Sequence, residues 1–150
     1  MKNKIFISTG GSGGHVIPAI TIYDHLKSNY EILISTDLRG LQYIDKENYK
    51  PITINTPKLN NLFLLPFALS KVLFLTLKCL ILLKKEKISI LVSTGGYMSL
   101  PLCLAAKVLK IKIFLIEPNM VLGRANKFFL NFSEKLLSYS KNLINFPKGL

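Results

Sequence analysis

Apolar residues in this chain fall into two alternating textures. Short runs rich in Ile, Leu and Phe recur at residues 4–8 (KIFIS), 31–35 (EILIS), 51–55 (PITIN), 88–93 (ISILVS), 112–116 (KIFLI) and 136–140 (LLSYS). Near-continuous apolar runs of this length, bounded by turn-forming or charged residues, predict strands buried on both faces. Between them lie helical stretches, predicted over about residues 18–28, 62–85, 99–109 and 122–132. Strands that alternate with crossover helices make an α/β fold: a doubly wound parallel sheet, Rossmann-like, with right-handed connections. Ligands of such sheets bind at the carboxyl ends of the strands. The chemistry is therefore expected after the first, fourth and fifth strands.

The first of these places reads Ser8-Thr9-Gly10-Gly11-Ser12-Gly13-Gly14-His15-Val16-Ile17-Pro18. Four glycines in five positions allow positive φ and a close approach of backbone to ligand. Pro18 suits the first turn of the helix that follows, whose free N–H groups would face a diphosphate or a sugar. The loop is neither a Walker A sequence nor a GxGxxG fingerprint. His15 stands at the helix start, where a neutral imidazole can act as general base on a sugar hydroxyl. After the fourth strand comes Thr94-Gly95-Gly96-Tyr97-Met98-Ser99-Leu100-Pro101, a second glycine turn with Ser99 as the expected N-cap. After the fifth comes Glu117-Pro118-Asn119, then Gly123-Arg124. Glu117 is the acid most clearly placed at a strand's carboxyl end, with Asp37 the other candidate. Asn119 offers a sugar hydroxyl both a donor and an acceptor.

Residues 62–83 form an apolar stretch long enough to span about 30 Å of hydrocarbon. Lys71, Lys78 and Lys85 recur every seventh residue as one stripe, bordered by Phe67, Phe74, Leu75 and Leu82. Leu69, Val72, Leu73, Leu80 and Ile81 are expected on the opposite, packed side. Lysines among hydrophobes on one face predict a helix lying at a membrane interface in preference to a span.

Composition narrows the partners. The chain has 150 residues, about one domain, and is 49% hydrophobic, which suffices for a core. Its 20 Lys and Arg against 8 acids give a net charge of +12. Only Arg39 and Arg124 carry a guanidinium, which argues against nucleic acid, where bidentate Arg contacts read phosphate and guanine. An anionic membrane surface or substrate fits better. Cys79 and Cys103 lie in apolar stretches without a CxxC or Cys/His cluster and read as reduced core residues. No carboxylate pair has metal-ligand spacing, so neither metal nor cofactor is expected. The amino terminus enters the first strand with no room for a signal peptide, which predicts a cytoplasmic start.

Thr9-Gly10-Gly11-Ser12-Gly13-Gly14-His15-Val16-Ile17-Pro18, Gly95-Gly96-Tyr97-Met98-Ser99-Leu100-Pro101 and Glu117-Pro118-Asn119, in that order around an apolar basic helix, resemble the MurG family of bacterial GT-B glycosyltransferases. The resemblance covers residues 1–150 but only the amino-terminal, acceptor- and membrane-binding domain of those enzymes. It implies an inverting transfer of N-acetylglucosamine from UDP-N-acetylglucosamine to undecaprenyl-pyrophosphoryl-muramyl-pentapeptide, converting lipid I to lipid II in peptidoglycan synthesis. By that resemblance Gly10, Gly11, Gly13, Gly14, Gly95 and Gly96, with Tyr97 beside them, would cradle the acceptor diphosphate. Ser12, Gly13 and Gly14 would border the donor sugar, and Asn119 would bind its hydroxyls. His15 is the first candidate for general base and Glu117 its rival. Phe63, Phe67, Lys71, Phe74, Leu75 and Lys78 would match a membrane patch on the cytoplasmic face of the inner membrane. A donor-nucleotide domain, in cis or in trans, would be needed for catalysis. Three positions depart from the family: Ile116 and Pro118 stand where His and Gln are usual, and Ser12 where Thr is common. The alternatives are a membrane-docking subunit of a split UDP-sugar transferase, or a non-catalytic lipid- or nucleotide-binding module.

Overall fold

The computed structural model describes residues 3–57, 63 and 65–147. Strands β1 (Lys4–Ser8), β2 (Glu31–Thr36), β3 (Ile52–Thr53), β4 (Ile90–Ser93), β5 (Lys112–Glu117) and β6 (Lys135–Ser138) form one sheet. Its order is β3-β2-β1-β4-β5-β6, and every pairing is parallel. The chain reverses its direction of growth between β1 and β4, so those two strands flank the topological switch point where such sheets bind ligands.

Alternate side chains of each central strand enter two separate cores, as the period of two requires. Phe6, Leu91, Ile113 and Leu115 pack under α3 (Leu65–Lys85), α4 (Leu100–Val108) and Phe129 of α5 (Arg124–Phe129). Ile5, Ile7, Ile34, Val92 and Ile116 pack on the other face against Val16 and Ala19 of α1 (Gly13–Leu26). Burial on both sides explains why the strands read as continuous apolar runs.

Several boundaries move. Helix α1 begins at Gly13, not near Pro18, because Ser12 takes the extended N-cap conformation; Gly13, Gly14 and His15 are its first turn. Pro18 thus lies inside the helix, where its missing N–H leaves the Gly14 carbonyl without its usual donor. The third strand shrinks to two residues. Between β2 and β3 lie a 3-10 turn at Gly40–Tyr43 and the short helix α2 (Lys46–Tyr49), which no periodicity announced. Ser99 does not cap α4 through its side chain: its hydroxyl donates back to the Gly96 carbonyl at 2.7 Å, and a 3-10 turn at Tyr97–Ser99 leads into the helix. The expected helix over 122–132 is α5 followed by another 3-10 turn, Leu130–Phe132.

Helix α3 also turns a different face inward. Its buried stripe is Ala68, Val72, Thr76, Cys79 and Leu83. Leu69, Leu73 and Ile81, expected inside, are 50%, 63% and 69% exposed. Leu75, assigned to the membrane patch, is instead partly buried against the core. The helix approaches α4 through small side chains, with Cys79 on one side and Cys103, Ala105 and Ala106 on the other. The predicted start of this helix at Leu62, and the tail residues Lys148 and Gly149, lie outside the described residues.

Candidate functional site

The loops after β1 and β4 meet at the switch point. The Thr94 hydroxyl donates to the Thr9 hydroxyl at 2.8 Å, and the Thr94 N–H donates to Ser8 O at 3.0 Å. Across this junction His15 Nδ1 lies 2.6 Å from the Thr94 carbonyl oxygen. A carbonyl can only accept, so Nδ1 carries the proton and Nε2 of the neutral ring keeps a lone pair. The fold thereby fixes the tautomer that a base needs.

The first glycine loop is held from below by the residue that immediately follows β2. Asp37 is 5% exposed, and its Oδ1 accepts from Gly11 N–H at 2.7 Å and Gly40 N–H at 2.9 Å. Its Oδ2 accepts from Arg39 Nε at 3.1 Å. Burial pushes the Asp37 carboxyl up, but the two backbone donors and the guanidinium outweigh it and hold the group below its ordinary value. Arg39 also donates to the Tyr97 hydroxyl at 2.7 Å, with its guanidinium carbon 5.6 Å from the ring centroid. Arg39 thus ties the loop after β2 to the loop after β4, across the first glycine loop. Gly11 has φ +85°, and a Cβ there would stand 3.0 Å from Met98 Cε.

Helix α1 contributes free donors. Its first N–H groups, on Gly13 and Gly14, have no intrahelical acceptor, and the exposed Ser12 hydroxyl makes no capping bond. Such an edge, at the positive end of the helix, can receive an anion or a hydroxyl.

Glu117 closes the far side. It is 1% exposed and accepts four hydrogen bonds: Oε1 from Asn119 N and Nδ2, Oε2 from Gly123 N and Asn126 Nδ2. The carboxylate therefore shapes the loop that carries Asn119. Asn126 was not singled out from the sequence. It is 1% exposed, its Nδ2 donates to Ile116 O and Glu117, and it lies against Gly95, where an added Cβ would stand 2.9 Å from Nδ2. Residues 142–146 return over this loop, with Leu122 N–H donating to Ile144 O and Ile144 N–H to Met120 O.

His15, Gly96, Tyr97, Glu117, Asn119 and Arg124 all line one cavity of about 680 Å³. Gly10, Gly11, Ser12 and Gly95, in the loops after β1 and β4, and Gly13 and Gly14, in the first turn of α1, are not among its lining residues. The proposed membrane residues Phe63, Phe67, Lys71, Phe74 and Lys78 lie apart from it, exposed, with Lys78 Nζ 4.5 Å over the Phe74 ring. Among the described residues no three His, Cys, Asp or Glu side chains cluster as a metal site would require. Asp37 and Arg39 carried only weak signals in the sequence: an acid past a strand end, and one of two arginines.

Residues 5–138 match the glycosyltransferase family 28 N-terminal domain. Over 148 residues the chain is 50% identical to the UDP-N-acetylglucosamine–N-acetylmuramyl-(pentapeptide) pyrophosphoryl-undecaprenol N-acetylglucosamine transferase of Pelagibacter ubique, covering 98% of this chain and 42% of that protein. It is 38% identical over 152 residues to the transferase of the same name from Rickettsia conorii, covering 97% of this chain and 39% of that one. The crystal structure of Acinetobacter baumannii MurG superposes with a TM-score of 0.80 over 98% of this chain and 44% of that chain, at 22% identity, a likeness of fold. The chain spans about two fifths of the length of the curated relatives it matches.

Proposed function

The chain belongs to the glycosyltransferase family 28 N-terminal domain family, and from that premise we propose that it is the acceptor-binding half of a transferase. The reaction is transfer of N-acetylglucosamine from UDP-N-acetylglucosamine to a muramyl-pentapeptide carried on pyrophosphoryl-undecaprenol, in peptidoglycan synthesis. The observation that carries the reading is the bond from His15 Nδ1 to Thr94 O, at the switch point between two glycine loops.

In this reading the N–H groups of Gly13 and Gly14 and the second loop at Gly95 and Gly96 receive the acceptor's pyrophosphate. His15 Nε2 takes the proton from the muramyl hydroxyl as its oxygen attacks the anomeric carbon and UDP leaves. Glu117 is a positioning residue, since both its oxygens are already occupied; Asn119, which it orients, meets sugar hydroxyls. Its bonds to Asn119, Gly123 and Asn126 need neither of the side chains that Ile116 and Pro118 replace.

Helix α3 gives the site its membrane side. It is long and apolar enough to cross a bilayer, with a mean hydropathy of 1.9. Crossing would strip Ala68, Val72, Thr76, Cys79 and Leu83 from the core, so lying flat keeps the domain intact. Phe67, Leu73, Phe74 and Leu77 then face the lipid, and Lys71 and Lys78 face anionic headgroups. The domain accordingly works peripherally, on the cytoplasmic side of the membrane.

The test joins this chain to the carboxy-terminal portion of the Pelagibacter relative and follows transfer to lipid I. His15→Ala should lower turnover by about 10²-fold or more while binding to anionic liposomes stays unchanged. Unchanged turnover would remove His15 from the mechanism. Liposome binding without transfer by the unsubstituted fusion would favour a non-catalytic module.

A further inference from the structure

The cavity at the site changes character along its walls. At the sheet edge it is lined by His15, Gly96, Asn119 and Arg124, which suffice for a sugar and a diphosphate. Away from that edge the lining becomes hydrocarbon: Leu69 and Val72 of α3, Leu100 and Leu104 of α4, and Phe128 of α5. Helices that cross over between parallel strands run antiparallel to them, so the first turns of α3 stand at the same edge as the loops. A wholly polar ligand would leave this apolar wall facing water. A ligand that joins an anionic head to a branched hydrocarbon would cover it.

We infer that the groove between α3, α4 and α5 holds the first isoprenoid units of the acceptor's polyprenyl chain, an inference that rests on the acceptor class proposed above. Three observations support this occupant over others. The groove is continuous with the polar site, so one molecule can fill both. Arg124 stands at the junction, exposed and without an ion pair among the described residues, where a pyrophosphate would meet the hydrocarbon. The apolar wall opens toward the bilayer: Leu69 is half exposed, and one turn along α3 Leu73 begins the exposed apolar face with Phe74 and Leu77. A chain leaving the groove thus enters lipid without crossing water. The volume of about 680 Å³ lies within the range of about 300–1,000 Å³ usual for small-molecule sites.

The test titrates the 150-residue chain by calorimetry with inorganic pyrophosphate and with farnesyl pyrophosphate, the latter below its micellar concentration. Farnesyl pyrophosphate should bind about tenfold or more tightly, from the apolar area it buries. The double variant Leu69→Gln/Phe128→Ser should lose that preference while still binding pyrophosphate. Both side chains are half exposed, so the fold should survive, as an unchanged thermal melt would confirm. Leu73→Gln, on the same helix but outside the groove, should keep the preference. Equal affinity for the two probes would overturn the inference and leave the anion cradle standing, as would a preference that survives in the double variant. Binding of neither probe would overturn the cradle and the groove together.

Discussion

Asp37 is the residue whose removal should most weaken the first glycine loop. Its two oxygens have separate duties: Oδ1 accepts from Gly11 and Gly40 N–H, and Oδ2 from Arg39. Asp37→Ala strands one buried and one partly buried N–H, each costing about 1–3 kcal/mol. The Arg39 side chain is 48% exposed, so its ion pair adds little. The sum is about 3 kcal/mol. At a urea m-value of about 2 kcal/mol/M the unfolding midpoint falls by about 1.5 M. Asp37→Asn keeps an oxygen for both backbone donors and loses only the charge and the Arg39 bond, so it should cost about 1 kcal/mol. The gap between wild type and Asp37→Asn has a definite pH dependence. The folded carboxyl lies below its ordinary value, so its contribution is complete above the unfolded value of about 3.9. It is lost as pH falls through the folded value, and the gap should close there. Urea titrations followed by circular dichroism, at neutral pH and in steps below about pH 4, check both statements. An Asp37→Ala variant within about 0.5 kcal/mol of wild type would refute the anchoring role.

Three further outcomes follow from the same geometry. Gly95→Ala meets both a φ of +86° and Asn126 Nδ2, whereas Gly96→Ala meets only a φ of +80° and open space; thermal melts should show the first losing at least about 1 kcal/mol more, about 2–4 °C in Tm. Burial pushes the Cys79 and Cys103 thiols up to about 12, so neither should react with a thiol reagent at about pH 8 until the chain is denatured. Lys71→Ala/Lys78→Ala should weaken partition onto anionic vesicles by about 30-fold, from about 1 kcal/mol per lysine, and added salt should shrink the difference; equal partition in sedimentation assays would discard the flat-lying helix.

The parallel sheet and the glycine turns at its strand ends were legible because buried parallel strands write themselves as apolar runs and because glycines cluster where the backbone must take positive φ. Three things were not legible. The first turn of α1 is Gly13-Gly14-His15, and glycine's poor helix propensity disguises a helix that Ser12 already starts. Helix α3 is apolar nearly all round, so hydrophobicity alone could not phase it. The inward stripe is marked by small residues, Ala68, Thr76 and Cys79, that allow close approach to α4, not by the leucines. The Asp37–Arg39–Tyr97 link joins residues up to 60 positions apart and becomes visible only once β2, β1 and β4 are neighbours.

Acceptor recognition by these residues is what the proposed function stands on. The most direct measurement titrates the chain with a short-chain polyprenyl-pyrophosphoryl muramyl-peptide and, separately, with UDP-N-acetylglucosamine. The first should bind saturably, at least about tenfold tighter than the second, and lose that binding when Gly95 is replaced by Ala. Tight binding of the nucleotide sugar with none of the acceptor analogue would contradict that recognition.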